Sequence, residues 1–585
     1  MNTPSESRRR FITSFAALGL SSTLLPGVLW GKMEEAGTQT VTADMLKDAA
    51  TLAGLNFSQE ERESMVQAVN QNLSRIAALH KLHIPNNVSP PFYFSPLVPG
   101  MKVNKARLPF RLGKPPSVKR PKNLEDVAFW PVTHLAQLIK TRAVTSMELT
   151  EMYLARLKKY NEKINCVVTM LDDVAHAQAK QADAEIAAGK YRGPLHGVPW
   201  GAKDIIAVKG YKTTWGSGAF KDQVIDEDAS VVEMLREAGA VLLAKLTTGE
   251  LAGGDQWFGG RTNNPWDLNR GASGSSAGPA SASVAGLVPF GIGTETGGSI
   301  ISPSARCGAT GLRPTFGRVS RYGVMALAWT QDRLGPICRY VEDCALVMNT
   351  IARPDGRDLS VSEMPFNWDA KFDIRTLRVG YLKDAFADSD RNPDWTKNDQ
   401  KTLDDLQKMG VKLIPLQVPD FPVDILNISV EASVFFDEFL RSGRDKLLTA
   451  KTKADRFRSG RMIPAVEYLQ SQRVRTMMMQ KLAEATAGVD VYLAPSTNGN
   501  PRAGGADGPP PGGVNAPQSQ NLTQQHYVMA NLACYPAVAL PNGFTPGGTP
   551  TGILFMGRPF GELGAMALAK AYQDATGYHL KRPPL

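Results

Sequence analysis

"GASGSSAGPASASVAGLVPFGIGTETGGSI", residues 271–300, is the stretch on which the reading of this chain turns. Two turns rich in Gly and Ser flank the apolar run "VAGLVPFGI" (284–292), as when a buried element joins two exposed turns that meet at one pocket. In the second turn Ser299 follows Gly297 and Gly298. Residues without Cβ admit positive φ and close approach to the main chain, so the N–H groups of Thr296, Gly297, Gly298 and Ser299 can converge on one oxygen. Donors preset for a tetrahedral oxyanion are worth about 3 to 4 kcal/mol each, which makes these four residues a candidate oxyanion hole.

A serine hydroxyl attacks only when a base takes its proton. Seven histidines are available. His80, His83, His134, His176, His526 and His579 sit in ordinary helical or loop contexts, where a structural role is the default. His196 differs: it opens "HGVPWGAKDI" (196–205), where a turn leads into a strand end and Lys203 precedes Asp204. A lysine beside an acid ordinarily reads as a surface pair, so the residues alone leave the proton acceptor open.

"GSSAG" (274–278) also satisfies G-x-S-x-G with Ser276 at its centre, the nucleophile elbow of α/β-hydrolases. That elbow needs a strand directly before it, whereas "NNPWDLNRGA" (263–272) is polar and turn-rich, and only His526 and His579 remain downstream. A phosphate cradle is disfavoured, since no G-x-x-x-x-G-K-[ST] or G-x-G-x-x-G opens a helix.

Outward from this stretch, residues 126–585 alternate helices with apolar strands. "VTSMELTEMYLARL" (144–157) carries a capping box from Thr145 to Glu148 ahead of Leu149, Tyr153 and Leu157 at helical spacing. "VVEMLREAGAVLLAKL" (231–246) reads as a helix stopped near Gly239 and then a strand; "LRVGYL" (377–382) and "VDVYLAP" (489–495) are further strands. The alternation predicts an α/β layered domain. "NGNPRAGGADGPPPGGVNAPQ" (498–518) is too rich in Gly and Pro to form a regular element and reads as a loop or lid.

Residues 37–125 read as a helical N-terminal extension and a strap. "FSQEERESMVQAVNQNLSRIAAL" (57–79) offers a capping box from Ser58 to Glu61, then Met65, Val69, Leu73 and Ile76 on one face, and the proline-rich "IPNNVSPPFYFSPLVPG" (84–100) follows. Residues 1–36 contain "SRRRFITSFAALGL" (7–20), in which Arg8 and Arg9 precede an apolar stretch as in a twin-arginine signal. Export to the periplasm or beyond is the expectation, with no stable membrane insertion unless the signal is retained. Ser14, Ser21, Ser22, Thr23 and Pro26 dilute the run below what a spanning helix needs.

The formal charge of +10 on 585 residues is a mild excess with no run of five like charges, which argues against nucleic acid as partner. Five cysteines without a C-x-x-C pair argue against zinc and against a disulfide framework, and buried free thiols are expected.

"GVPWGAKD" (197–204), residues 274–300 and "CGATGLRPTFGRVSRYG" (307–323) together resemble the amidase signature family of serine hydrolases. The likeness begins near Trp130 and includes "RTNNPWDL" (261–268), "DRLGPICRYVEDCALVMNTIA" (332–352) and "NLACYPAVALPNGFTPGGTPTGILFMGRPF" (531–560), so it runs over most of the chain. It implies an α/β/α sandwich with a mixed central sheet covered by helices. It further implies Ser299 as nucleophile, Ser275 as a serine on a cis peptide bond that relays the proton, and Lys203 as base, with no metal or organic cofactor. The implied substrate is a small-molecule or peptide-like amide, cleaved to a carboxylic acid and ammonia or an amine. The family also includes the glutaminase component of tRNA-dependent amidotransferases, an alternative that an export signal opposes.

For that chemistry Lys203 must be neutral. A reference pKa near 10.4 leaves about one lysine in 2500 uncharged at pH 7, so burial without a facing carboxylate is required and Asp204 must point away. Three departures from the family pattern stand out: Ala277 for a usual Gly, Glu295 for a usual Asp, and Ile301 where Arg often follows the nucleophile. The last two predict altered charge near the site.

Overall fold

The computed structural model describes residues 40–80, 82, 94–114, 117–421, 425–499 and 522–585. The twin-arginine segment, most of the proline-rich strap and most of the Gly/Pro run at 498–518 lie outside the described residues. The chain divides into two compact units. The smaller takes the described residues up to 82, residues 326–329 and the segment ending at Met477, and the larger holds the remainder.

In the smaller unit Ser58 and Glu61 form the expected reciprocal cap. The Ser58 N–H donates to Glu61 Oε2 at 2.7 Å and the Glu61 N–H to Ser58 Oγ at 3.2 Å, opening helix Gln59–His80. Met65 and Val69 of that helix pack on Met45 and Leu46 of helix Ala43–Leu52 and on Met462. A stripe of this width buries one face only, so the pair of helices needs these further side chains to close a core.

The larger unit is built on an eleven-stranded mixed sheet. In chain order the strands are β1 (Val167–Met170), β2 (Pro199–Lys203), β3 (Val241–Leu246), β4 (Gly291–Glu295), β5 (Thr310–Arg313), β6 (Arg333–Cys338), β7 (Val379–Leu382), β8 (Leu413–Leu416), β9 (Val491–Pro495), β10 (Ala537–Phe544) and β11 (Pro550–Gly557). Their spatial order is β1-β3-β2-β4-β6-β5-β10-β11-β9-β7-β8. β3, β2 and β4 run parallel, as do β9, β7 and β8, while the strands between them pair antiparallel. Every residue of β2, β3 and β4 is buried, as expected where helices cover both faces of a sheet.

Helix Ser146–Ile164 starts at the capping box of Thr145 and Glu148 and buries Leu149, Tyr153 and Leu157. Helix Ser230–Glu237 ends ahead of Gly239, which takes φ +81°, and the chain turns into β3. "LRVGYL" and "VDVYLAP" become the parallel neighbours β7 and β9. Residues 94–114 lie along the larger unit through bonds such as Arg111 N–H to Trp368 O at 2.9 Å and Leu108 N–H to Asn367 Oδ1 at 2.9 Å. A large apolar cluster runs from Val127 to Tyr572, and a second gathers around Ala272, Ala277 and Ile300.

Candidate active site

Lys203 is the last residue of β2, and β2 runs parallel to β4 with Gly201 opposite Gly291 and Ala202 opposite Ile292. The carboxyl ends of two neighbouring strands therefore meet at one edge, the place where α/β sheets open a crevice. The register brings Lys203 Nζ to Thr294 Oγ1 at 2.7 Å. The same Nζ lies 2.7 Å from Ser275 Oγ, just before helix Ala277–Val284, and the Gly274–Ser275 peptide bond is cis.

Asp204 turns away, as the chemistry requires. It forms an ion pair with Lys245 at 2.9 Å, both side chains being fully buried, and accepts the Thr214 N–H at 3.0 Å. With its neighbouring acid spent on another lysine, Lys203 sits 0 % exposed between two hydroxyls. Burial lowers its pKa to about 7, and the charges of Asp332 and Glu295 oppose that shift without cancelling it. Among the described residues no carboxylate contacts Lys203 Nζ, and those two act on it from a distance.

Ser299 stands in the turn between β4 and helix Ile301–Cys307 and is partly exposed. Among the described residues its hydroxyl makes no hydrogen bond. Its main chain is tied to Ser276, the neighbour of Ser275, by a bond from the Ser276 N–H to the Ser299 carbonyl at 3.0 Å. Bonds between catalytic side chains commonly tighten only when substrate is bound. None of the four N–H groups of Thr296, Gly297, Gly298 and Ser299 donates a hydrogen bond among the described residues. Gly298 holds φ +119°, and a Cβ there would stand 1.7 Å from the Tyr527 hydroxyl, so only glycine fits.

Glu295 has a structural part that the sequence does not show. Besides acting on Lys203 by its charge, it is 0 % exposed and anchors the turn: Oε2 accepts the N–H groups of Ile300 and Ile301 at 2.8 and 2.9 Å, and Oε1 pairs with Arg313 Nη1 at 2.9 Å. Ile301 is buried in the same place. Ser276, the alternative nucleophile, is fully buried, with Oγ donating to Thr294 O at 3.1 Å and accepting the Thr294 N–H at 3.2 Å. Its hydroxyl is committed to the strand. His196 is equally committed, with Nδ1 accepting the Arg192 N–H at 3.1 Å and its ring packed on Gly239. His526 bonds the Tyr492 hydroxyl at 2.9 Å, and burial lowers its pKa to about 3.

Two contributors escape a reading of the sequence. Thr294 lies inside the quoted stretch but reads as an ordinary strand residue, because only the register of β2 against β4 reveals its hydroxyl as a partner of Lys203. Tyr527 comes from helix Leu522–Leu532 and bonds Ser302 Oγ at 2.7 Å, far from its own sequence neighbourhood.

The family model described as Amidase matches residues 148–564. The A component of the glutamyl-tRNA(Gln) amidotransferase from Roseiflexus sp. (strain RS-1) is 34% identical over 473 residues, covering 76% of this chain and 95% of that protein. Its counterpart of the same name from Coxiella burnetii (strain RSA 493 / Nine Mile phase I) is 32% identical over 492 residues, covering 78% of this chain and 99% of its own. Among solved structures, native peptide amidase from Stenotrophomonas maltophilia superposes with a TM-score of 0.66 at 26% identity, over 79% of this chain and 99% of that one.

Proposed function

This chain belongs to the amidase family and is an amide-hydrolysing enzyme, and from that premise we propose that it is a stand-alone amidase working by acyl transfer through Ser299, Ser275 and Lys203. Neutral Lys203 draws the proton of Ser275 while Ser275 takes that of Ser299, and Ser299 Oγ bonds to the amide carbon. The N–H groups of Thr296 to Ser299 hold the oxyanion. As the C–N bond breaks, the proton returns by way of Ser275 to the departing ammonia or amine. Water then attacks the acyl-enzyme and gives its proton to the same relay, which passes it to Ser299 Oγ as the bond from that oxygen to the acyl carbon breaks and the carboxylic acid leaves. No step calls for a metal or organic cofactor.

The observation that carries this reading is the buried Lys203 amine, lodged between two hydroxyls while its neighbouring acid pairs elsewhere. Labelling the pure protein with a fluorophosphonate, followed by digestion and mass spectrometry, tests it. Label on Ser299, lost in Lys203→Met and Ser275→Ala, is the expected result. Label on Ser276, or none on a folded protein that cleaves no amide, sinks it.

The likeness to the amidotransferase components favours a second reading, a glutaminase that delivers ammonia within a larger assembly. Turnover separates the two: an amidotransferase component releases ammonia from glutamine, whereas the stand-alone enzyme cleaves peptide-like or other amides without partners. Export through the twin-arginine route belongs to the first reading, and fusing residues 1–36 to a folded reporter checks it.

A further inference from the structure

We propose that Gln331 and Arg333 are positioning residues that set the oxyanion donors by gripping the Thr296 carbonyl, an inference that rests on the acyl-transfer reading of this site. Three consecutive residues converge on Thr296. Gln331 Nε2 donates to Thr296 O at 2.7 Å, Arg333 Nη2 donates to the same oxygen at 3.0 Å, and Thr296 Oγ1 donates to Asp332 Oδ1 at 2.5 Å. The donors are themselves fixed. Gln331 is 1 % and Arg333 2 % exposed, and Arg333 opens β6 directly opposite Glu295 in the antiparallel register with β4. Arg333 Nη2 also donates to Asn531 Oδ1 at 3.0 Å, and that oxygen receives Arg313 Nη1 at 2.9 Å as well. Arg313 in turn holds Glu295, whose other oxygen receives the Ile300 and Ile301 N–H groups on the far side of Ser299.

The consequence follows from peptide geometry. In a trans peptide the C=O of one residue and the N–H of the next point in opposite directions within one plane, so an oxygen fixed on one side fixes the Gly297 N–H on the other. Gly297 and Gly298 have no side chains to resist rotation of that plane, and a Cβ at Gly297 would meet nothing within 4 Å. Left to local preference the plane could turn and present a carbonyl where a donor is needed. Turning it here would break two hydrogen bonds to buried donors, one of them from a guanidinium. The glycines give the loop its close approach, and the Gln331–Arg333 segment removes the freedom that comes with it.

The test uses the full chain with a p-nitrophenyl ester as substrate and phenylboronic acid as an inhibitor that adds to Ser299 and places a hydroxyl in the hole. Gln331→Met and Arg333→Met should each lower kcat by about 10- to 100-fold with KM within about twofold, because a misplaced donor acts on the transition state and not on ground-state binding. Boronate affinity should fall in proportion to kcat/KM, and Arg333→Lys should recover part of both. Should Arg333→Met fail to fold, Gln331→Met carries the same readouts alone. Folded variants with wild-type kcat and boronate affinity would overturn the proposal, as would losses tracking a lowered melting temperature while kcat and KM change together. Failure of the wild-type enzyme to label at Ser299 would instead remove the acyl-transfer reading on which the proposal rests.

Discussion

At the scale of single residues, the side chain on which the proposed chemistry turns is the one whose sequence context argues against it. Lys203 beside Asp204 reads as a surface pair, yet the acid leaves for Lys245 and the amine is buried. With its pKa brought down to about 7 by burial, kcat/KM should rise through an acid limb with an apparent pKa near that value and flatten above it. Lys203→Met should lower kcat by at least about 1000-fold and erase the limb, as measured across a pH series. Stability carries the opposite mark. The unfolded chain holds the Lys203 proton more tightly than the folded one, so the burden on the fold is greatest below about pH 7 and fades as pH rises toward the ordinary lysine range near 10.4. Lys203→Met should therefore melt above wild type at pH 7, with the gap narrowing by pH 10. Ser276→Ala should keep activity within a few-fold, since that hydroxyl serves the strand backbone at Thr294, and any loss should show as melting temperature. Gly298→Ala should lose about 100-fold or more in kcat, because its φ of +119° and the Tyr527 hydroxyl leave no room for a methyl group.

At the scale of elements, local signals are reliable where the physics is local. The boxes at Ser58–Glu61 and Thr145–Glu148 form as written because each cap is closed within three residues. Thr145→Ala should cost about 1 kcal/mol in denaturant unfolding. The turn bearing Ser299 is different, since its geometry is held from outside by Glu295 and Arg313. Glu295→Gln leaves the Arg313 guanidinium buried without its counter-charge and should destabilise by about 3 to 5 kcal/mol, read by the same unfolding experiment. Glu295 reads in the sequence as a change in charge near the substrate because nothing in "GTETGGSI" shows that its carboxylate faces inward. Thr294 is silent there for the same reason: a strand residue's partner is chosen by the neighbouring strand.

At the scale of the whole molecule, the eleven-stranded sheet gathers groups supplied by segments far apart in the chain, Lys203 from β2 and Ser299 from the turn after β4. All five cysteines are buried and none forms a disulfide, and burial raises the Cys166 and Cys307 thiols to about 12. A thiol reagent should find none of them in the native protein and all five after denaturation, with activity indifferent to reducing agent. The sequence by itself determined the α/β layering, the strands and caps, and the glycine loop around Ser299, because period, capping and the need for positive φ are properties of neighbouring residues. The tertiary structure alone decided which acid would leave Lys203, that Thr294 and not a carboxylate would face it, that Ser276 would be buried, and which side chains would hold Thr296. Each of those outcomes depends on strand order and register, which bring together groups that no local pattern relates.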